Sequence, residues 1–169
     1  ITPQQEADMD IKATLNNLLI PYTSNYAGTL LPGIREYTVT PGEKTTTISG
    51  KGKAGLKQEE NYYFFYLPVC YKGITGKSYA YYNTSRSKNL YLPASVDENY
   101  SYDIQLPENL TLCTPIQEKK IDNPIGSFKI TLTSEGSSLH IELALQIKKQ
   151  LITPAEYPAF RSLITEWTD

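Results

Sequence analysis

One histidine, one methionine, one tryptophan and two cysteines stand in a chain of 169 residues, and each scarcity excludes a class of chemistry. A single imidazole cannot complete a usual zinc site, and the cysteines do not take a Cys-x-x-Cys spacing. Cys70 and Cys113 allow one disulfide between them, but two cysteines make no disulfide framework. Cys70 lies in Leu67-Pro68-Val69-Cys70-Tyr71 and Cys113 in Leu110-Thr111-Leu112-Cys113-Thr114-Pro115; these apolar, strand-like settings predict buried free thiols. Long hydrophobic runs are missing as well, so no transmembrane segment is expected. Nor is there an excess of one charge: 16 Lys+Arg against 18 Asp+Glu give a net charge of -2, which removes the electrostatic basis for a nucleic-acid partner.

What the chain does hold is tyrosine, 14 residues beside 4 Phe, in a composition that is 40% hydrophobic and therefore able to bury a core. Tyrosine suits pleated, half-buried surfaces with one wet end, so its excess points first to β-sheet. Thr2-Pro3 reads as an N-cap followed by a first-turn proline. With Ala7, Ile11, Leu15, Leu18 and Leu19 at helical spacing, it predicts an amphipathic helix over residues 3–19, ending before Pro21.

From Ile34 the period changes to two. Strands are expected over 34–40, 44–49, 61–67, 78–82, 90–92, 100–106, 126–133 and 138–148, separated by Gly- and Pro-led turns. The last two read as a hairpin: Phe128, Ile130 and Leu132 alternate with Lys129, Thr131 and Thr133, and Leu139, Ile141, Leu143, Leu145 and Ile147 with His140, Glu142, Ala144, Gln146 and Lys148. Thr153-Pro154-Ala155-Glu156 is a capping-box signature. Tyr157, Phe160, Leu163, Ile164 and Trp167 then form one apolar face, either of a helix capped at Thr153 or, with Pro158 marking off a short first turn, of one that begins near Tyr157. The predicted fold class is all-β, an antiparallel β-sandwich or flattened barrel with an N-terminal and a C-terminal helix. Residues 1–20 are read as a helical connector and 21–169 as the β-sandwich domain.

Catalysis finds little support. Cys-His chemistry requires an imidazole within reach of a thiolate, and His140, the only histidine, falls on the polar face of a long strand, where solvation is its expected state. Gly50-Lys51-Gly52-Lys53-Ala54-Gly55 lacks the Gly-Lys-Ser/Thr ending of a phosphate loop and reads as a glycine-rich turn or bulge. Glu59-Glu60 and Asp97-Glu98 read as paired acids in loops facing water, so no acid is expected in an apolar setting that would raise its pKa. No catalytic residue, metal ligand or cofactor is assigned.

One stretch of pattern goes further. Leu67-Pro68, Arg86, Leu90-Tyr91-Leu92-Pro93, Tyr100-Ser101-Tyr102-Asp103-Ile104-Gln105-Leu106-Pro107-Glu108-Asn109, Asn123, Gly126-Ser127-Phe128 and the closing Tyr157, Phe160 and Trp167 follow one another in an order that resembles the carboxy-terminal β-domain of bacterial transglutaminase-like proteins. The likeness runs from Tyr62 to Asp169, and Pro3 to Leu19 depart from it. It implies a non-catalytic accessory domain that packs on, or presents substrate to, a papain-like catalytic core of the same full-length protein, in a periplasmic or cell-envelope setting. That family's catalytic Cys, His and Asp belong to its middle domain and have no counterpart in Cys70, Cys113 or His140. The residues chosen for partner contact are Tyr79, Tyr81 and Tyr82, since aromatic anchors carry interface energy. A carbohydrate- or cell-surface-binding module is the rival reading; it requires aligned tyrosine rings with amide or acid groups beside them.

Overall fold

The computed structural model describes residues 6–16, 34–69, 74, 85–113 and 118–168. Its first element overturns an expectation. Residues 6–16 form strand β1 (Glu6–Asn16) and no helix. Ala7, Met9, Ile11, Ala13 and Leu15 are buried along one side, while Glu6, Asp8, Asp10 and Lys12 face water on the other. Apolar residues at 7, 11 and 15 satisfy a helical period and a strand period equally; Met9 and Ala13 between them decide for the strand.

Strands β2 (Ile34–Pro41), β3 (Thr45–Gly55), β7 (Val96–Gln105), β8 (Glu118–Asn123), β9 (Gly126–Glu135) and β10 (Ser138–Ile147) join β1 in one antiparallel sheet of order β2-β3-β1-β7-β10-β9-β8. β1 lies inside this sheet, its Ile11 between Gly50 of β3 and Tyr102 of β7, so residues 6–16 belong to the sheet and are not a helical connector. The glycine-rich stretch from Gly50 to Gly55 is also strand, the second half of β3, and not a turn. Edge strands β2 and β8 do not pair with each other, so the sheet is open and the flattened-barrel form is excluded. Two short ladders complete the β-structure, β4 (Lys57–Glu59) with β5 (Tyr62–Phe64) and β6 (Leu90–Tyr91) with β11 (Leu151–Ile152).

Pleating sends alternate side chains to opposite faces. One face carries Ile48, Tyr100, Tyr102, Ile104, Phe128 and the even alternation of β10's Leu139, Ile141, Leu143, Leu145 and Ile147. Helix α1 (Tyr157–Thr168) covers this face, burying Tyr157, Phe160, Leu163, Ile164 and Trp167, the stripe expected from its spacing. The Trp167 ring lies 5.8 Å from that of Tyr100 and meets Phe128 edge-on at 6.5 Å. Each such buried side chain contributes about 1.5–3 kcal/mol through removal from water. The short ladders add Leu90 and Ile152 to the same core, with Tyr63 and Phe65 packed against it, giving a mostly-β, sandwich-like arrangement among the described residues.

Local devices fix the ends. β9 and β10 are joined by Gly136-Ser137, with Gly136 at φ 59°, the left-handed conformation such tight turns require. Gly126 starts β9 where no side chain fits: a Cβ there would stand 1.9 Å from the Gln146 carbonyl oxygen. Ahead of α1, Glu156 reaches back to accept from the Thr153 amide at 3.1 Å and its hydroxyl at 3.0 Å. Lys149 pairs with the same carboxylate, and these contacts, Lys149 foremost, hold its pKa down at about 2. Lys119 of β8 pairs with Glu166 of α1, and the Asn123 amide donates to the Ala159 carbonyl at 3.0 Å, tying the sheet edge to the helix.

Candidate functional site

The uncovered face of the sheet is polar. Asp10, Asp103 and His140 occupy one cross-strand row, because Asp10 is registered with Asp103 and Asp103 with His140. His140 Nδ1 lies 2.7 Å from Asp103 Oδ1 and its Nε2 lies 2.9 Å from Glu142 Oε1. The Asp103 hydrogen bond, ahead of smaller contributions from both carboxylates, raises the imidazole pKa above its ordinary value. With both nitrogens facing carboxylates, this ring is an ion-pair partner and has no vacant nitrogen with which to take a proton from a nucleophile. The polar-face position expected for His140 is observed. Among the described residues no group of three His, Cys, Asp or Glu side chains is arranged to hold a metal ion.

The covered face holds an acid that the sequence reading placed in water. Glu98 lies on β7, not in a loop, and is 0% exposed. Its Oε1 accepts from the Ile74 amide at 2.5 Å and its Oε2 from the Tyr100 hydroxyl at 2.9 Å. Its cross-strand neighbours are Leu15 and Leu145. Burial dominates the two hydrogen bonds and pushes the carboxyl pKa up to about 7. Four residues on, Tyr102 donates to the Pro68 carbonyl at 2.9 Å, so β7 pins the chain at both Pro68 and Ile74. The parity of β7 was the available signal: Glu98 falls in step with Val96, Tyr100, Tyr102 and Ile104, all buried.

Exposed aromatic rings gather on the β4–β5 hairpin and the chain that follows it. Tyr62, Phe64 and Tyr66 face water, Tyr66 with 87% of its surface open, while Tyr63, Phe65 and Leu67 turn inward against the core. The turn residue Glu60 is held at φ 55°, a left-handed conformation costing a non-glycine residue about 1–2 kcal/mol. Beside the hairpin opens a cleft of about 250 Å³, lined by Leu56, Leu106 and Leu139 below and by Asn61, Tyr62 and Asn109 above, with Cys113 at its margin. A second exposed pair, Tyr91 and Leu151, sits across the β6–β11 ladder.

Of the residues expected to contact a partner, Tyr79, Tyr81 and Tyr82 lie outside the described residues, as does Cys70. Cys113 corrects its expectation, being a free and exposed thiol on an irregular segment after β7 and not a buried one in a strand. The exposed hairpin was hidden from sequence reasoning because residues 62–67 are apolar in both phases of the alternation, so nothing marks which rings turn outward.

These features define a class: a mostly-β domain with one broad antiparallel sheet, a C-terminal helix across one face, and aromatic side chains displayed on a short hairpin. The chain belongs to a family described as a domain of unknown function with a solved structure, DUF3858, whose model matches residues 61–169. This span agrees within a residue with the stretch from Tyr62 that carried the resemblance, and the family's description names neither a catalytic activity nor a transglutaminase. No curated protein and no solved structure matches the chain.

Proposed function

We propose that this domain is a non-catalytic accessory module, which packs on or presents substrate to the catalytic core of a transglutaminase- or protease-like protein outside the cytoplasm. The observation that carries the reading is the outward display of Tyr62, Phe64 and Tyr66 on one short hairpin and the chain that leaves it. Exposed rings grouped in this way mark a contact surface more often than single exposed apolar residues do, and aromatic anchors supply a large share of interface energy once water is excluded around them. The hairpin is a contact surface in addition to Tyr79, Tyr81 and Tyr82, which lie outside the described residues.

The test uses the complete polypeptide. Replacing Tyr62, Phe64 and Tyr66 together by serine should leave the domain's circular dichroism unchanged. Cross-links between hairpin and core should disappear, and proteases should gain access to the junction. Unchanged cross-linking would overturn the docking reading. Binding of the isolated domain to a glycan array, lost on Tyr66→Ala, would replace it with the carbohydrate-binding alternative.

A further inference from the structure

The cleft beside the hairpin differs in kind from two hollows on the polar face of the sheet. Those on the open face of the sheet are lined with Asp10, Asp103 and, variously, His140, Lys12 or Lys51. None of the residues around the hairpin cleft is charged. Its floor is the core itself, since Leu56, Leu106 and Leu139 are buried hydrophobic residues. Its rim carries amides: the side chains of Asn61 and Asn109 face water and are committed to no hydrogen bond among the described residues.

We infer that this cleft is an anchor site for an uncharged, extended peptide segment, which lays one aromatic or branched aliphatic side chain on the leucine floor and pairs its backbone with Asn61 and Asn109. The proposal rests on the docking reading above for the protein nature of the partner and adds the chemistry that partner presents. Three physical points converge on a peptide. An asparagine side chain offers one carbonyl acceptor and an NH₂ donor side by side, the complement of a backbone N–H and C=O. A volume of about 250 Å³ falls just below the range of roughly 300–1,000 Å³ typical of small-molecule sites, so it suits one side chain better than a whole ligand. A leucine floor stabilises an apolar group and imposes an uncompensated desolvation cost on a carboxylate or ammonium, which makes the site selective by charge.

The 169-residue chain, ¹⁵N-labelled, is titrated with N-acetyl-L-phenylalanine amide, N-acetyl-L-glutamate amide and methyl β-glucoside. The phenylalanine probe is expected to give saturable amide shifts at Asn61, Asn109 and Cys113. Its affinity should exceed that of the glutamate probe by at least about fivefold, since burying the charge is costly. Asn109→Ala should weaken it severalfold while leaving the remaining spectrum in place. Absence of saturable shifts at the cleft overturns the proposal, and so does equal or tighter binding of the glutamate probe or the glucoside. The two readings fail separately. Loss of docking in the triple-serine protein without any binding of the phenylalanine probe removes the cleft alone, and probe binding with docking undisturbed removes the docking reading alone.

Discussion

Two carboxylates five residues apart on β7 live in opposite worlds. Glu98 is buried with its carboxylate bonded to the Ile74 amide, whereas the side chain of Asp103 is 70% exposed beside His140. Nothing in residue type predicts the difference, because both are acids on one strand. Parity decides it: an odd step along a pleated strand moves a side chain to the other face. The buried acid has two neutral donors and a pKa of about 7; the exposed one has a histidine whose own pKa it raises. The same strand therefore carries a structural acid inside and a solvated ion pair outside.

The most severe way to break this contrast is to remove the strands that create an inside. A chain cut to the family-matched residues 61–169 loses β1, β2, β3 and the short β4, leaving β7 with one neighbour and its apolar side stripped of Met9, Ile11, Ala13 and Leu15. It should show no cooperative urea transition, and a cooperative one would show that those strands are dispensable. Next come the two acids themselves. Glu98→Ala leaves the Ile74 amide and the Tyr100 hydroxyl without their acceptor in a buried site and should cost about 2–5 kcal/mol. Asp103→Ala removes an exposed pair and should cost less than about 1 kcal/mol. Comparable losses in urea denaturation would mean that the two sites are not distinct.

A finer test uses pH. Because folding raises the Glu98 pKa from 4.5 to about 7, the folded chain holds this proton more tightly than the unfolded one. The resulting stability is fully present below about pH 4.5 and is lost as pH rises through 7, a decline of about 3 kcal/mol for this group. Glu98→Gln, which keeps an acceptor for Ile74 and cannot ionise, should flatten that part of the profile. An unchanged slope between pH 5 and 8 would assign the effect elsewhere. The smallest expected effect is on the open face. The His140 imidazole should titrate above its ordinary 6.5 by NMR, return toward it in Asp103→Asn, and respond to added salt, as an exposed pair does. Its contribution to stability has the same sign, present below 6.5 and lost as pH rises through the folded value, but solvent screening keeps it minor.

How far the sequence could be read depended on whether one period alone fitted. In the β9–β10 hairpin the apolar residues alternate with polar ones save at Ala144, and strands, turn and buried side all came out as expected, with His140 on the polar face. The aromatic stripe of α1 was equally legible, because its 3.6-residue spacing has no strand equivalent. β1 was misread where the two periods share residues 7, 11 and 15, and β8, with the sequence Glu-Lys-Lys-Ile-Asp-Asn, is a strand through its pairing to β9 and not through any intrinsic preference. Glu98 was misplaced because charge was weighed ahead of parity. The cleft was out of reach altogether, since it joins Asn61 to Asn109 and Leu139, whose proximity exists only once the sheet has formed.

The central place of β1 also sets an order of events. Synthesis completes β1 and β3 well before β7, the strand that must lie on the other side of β1. At roughly 5–20 residues per second, the interval between the emergence of Gly55 and Gln105 is about 3–10 s. Throughout it, a long edge of β1 stands unpaired, with Met9, Ile11 and Leu15 still awaiting the core. A nascent chain in that condition is a substrate for holding chaperones and is at its most prone to pair with a copy of itself. For this protein, the vulnerable moment is during its own manufacture, when three of the seven strands of the sheet exist and the strand that pairs with the free edge of β1 has not yet been made.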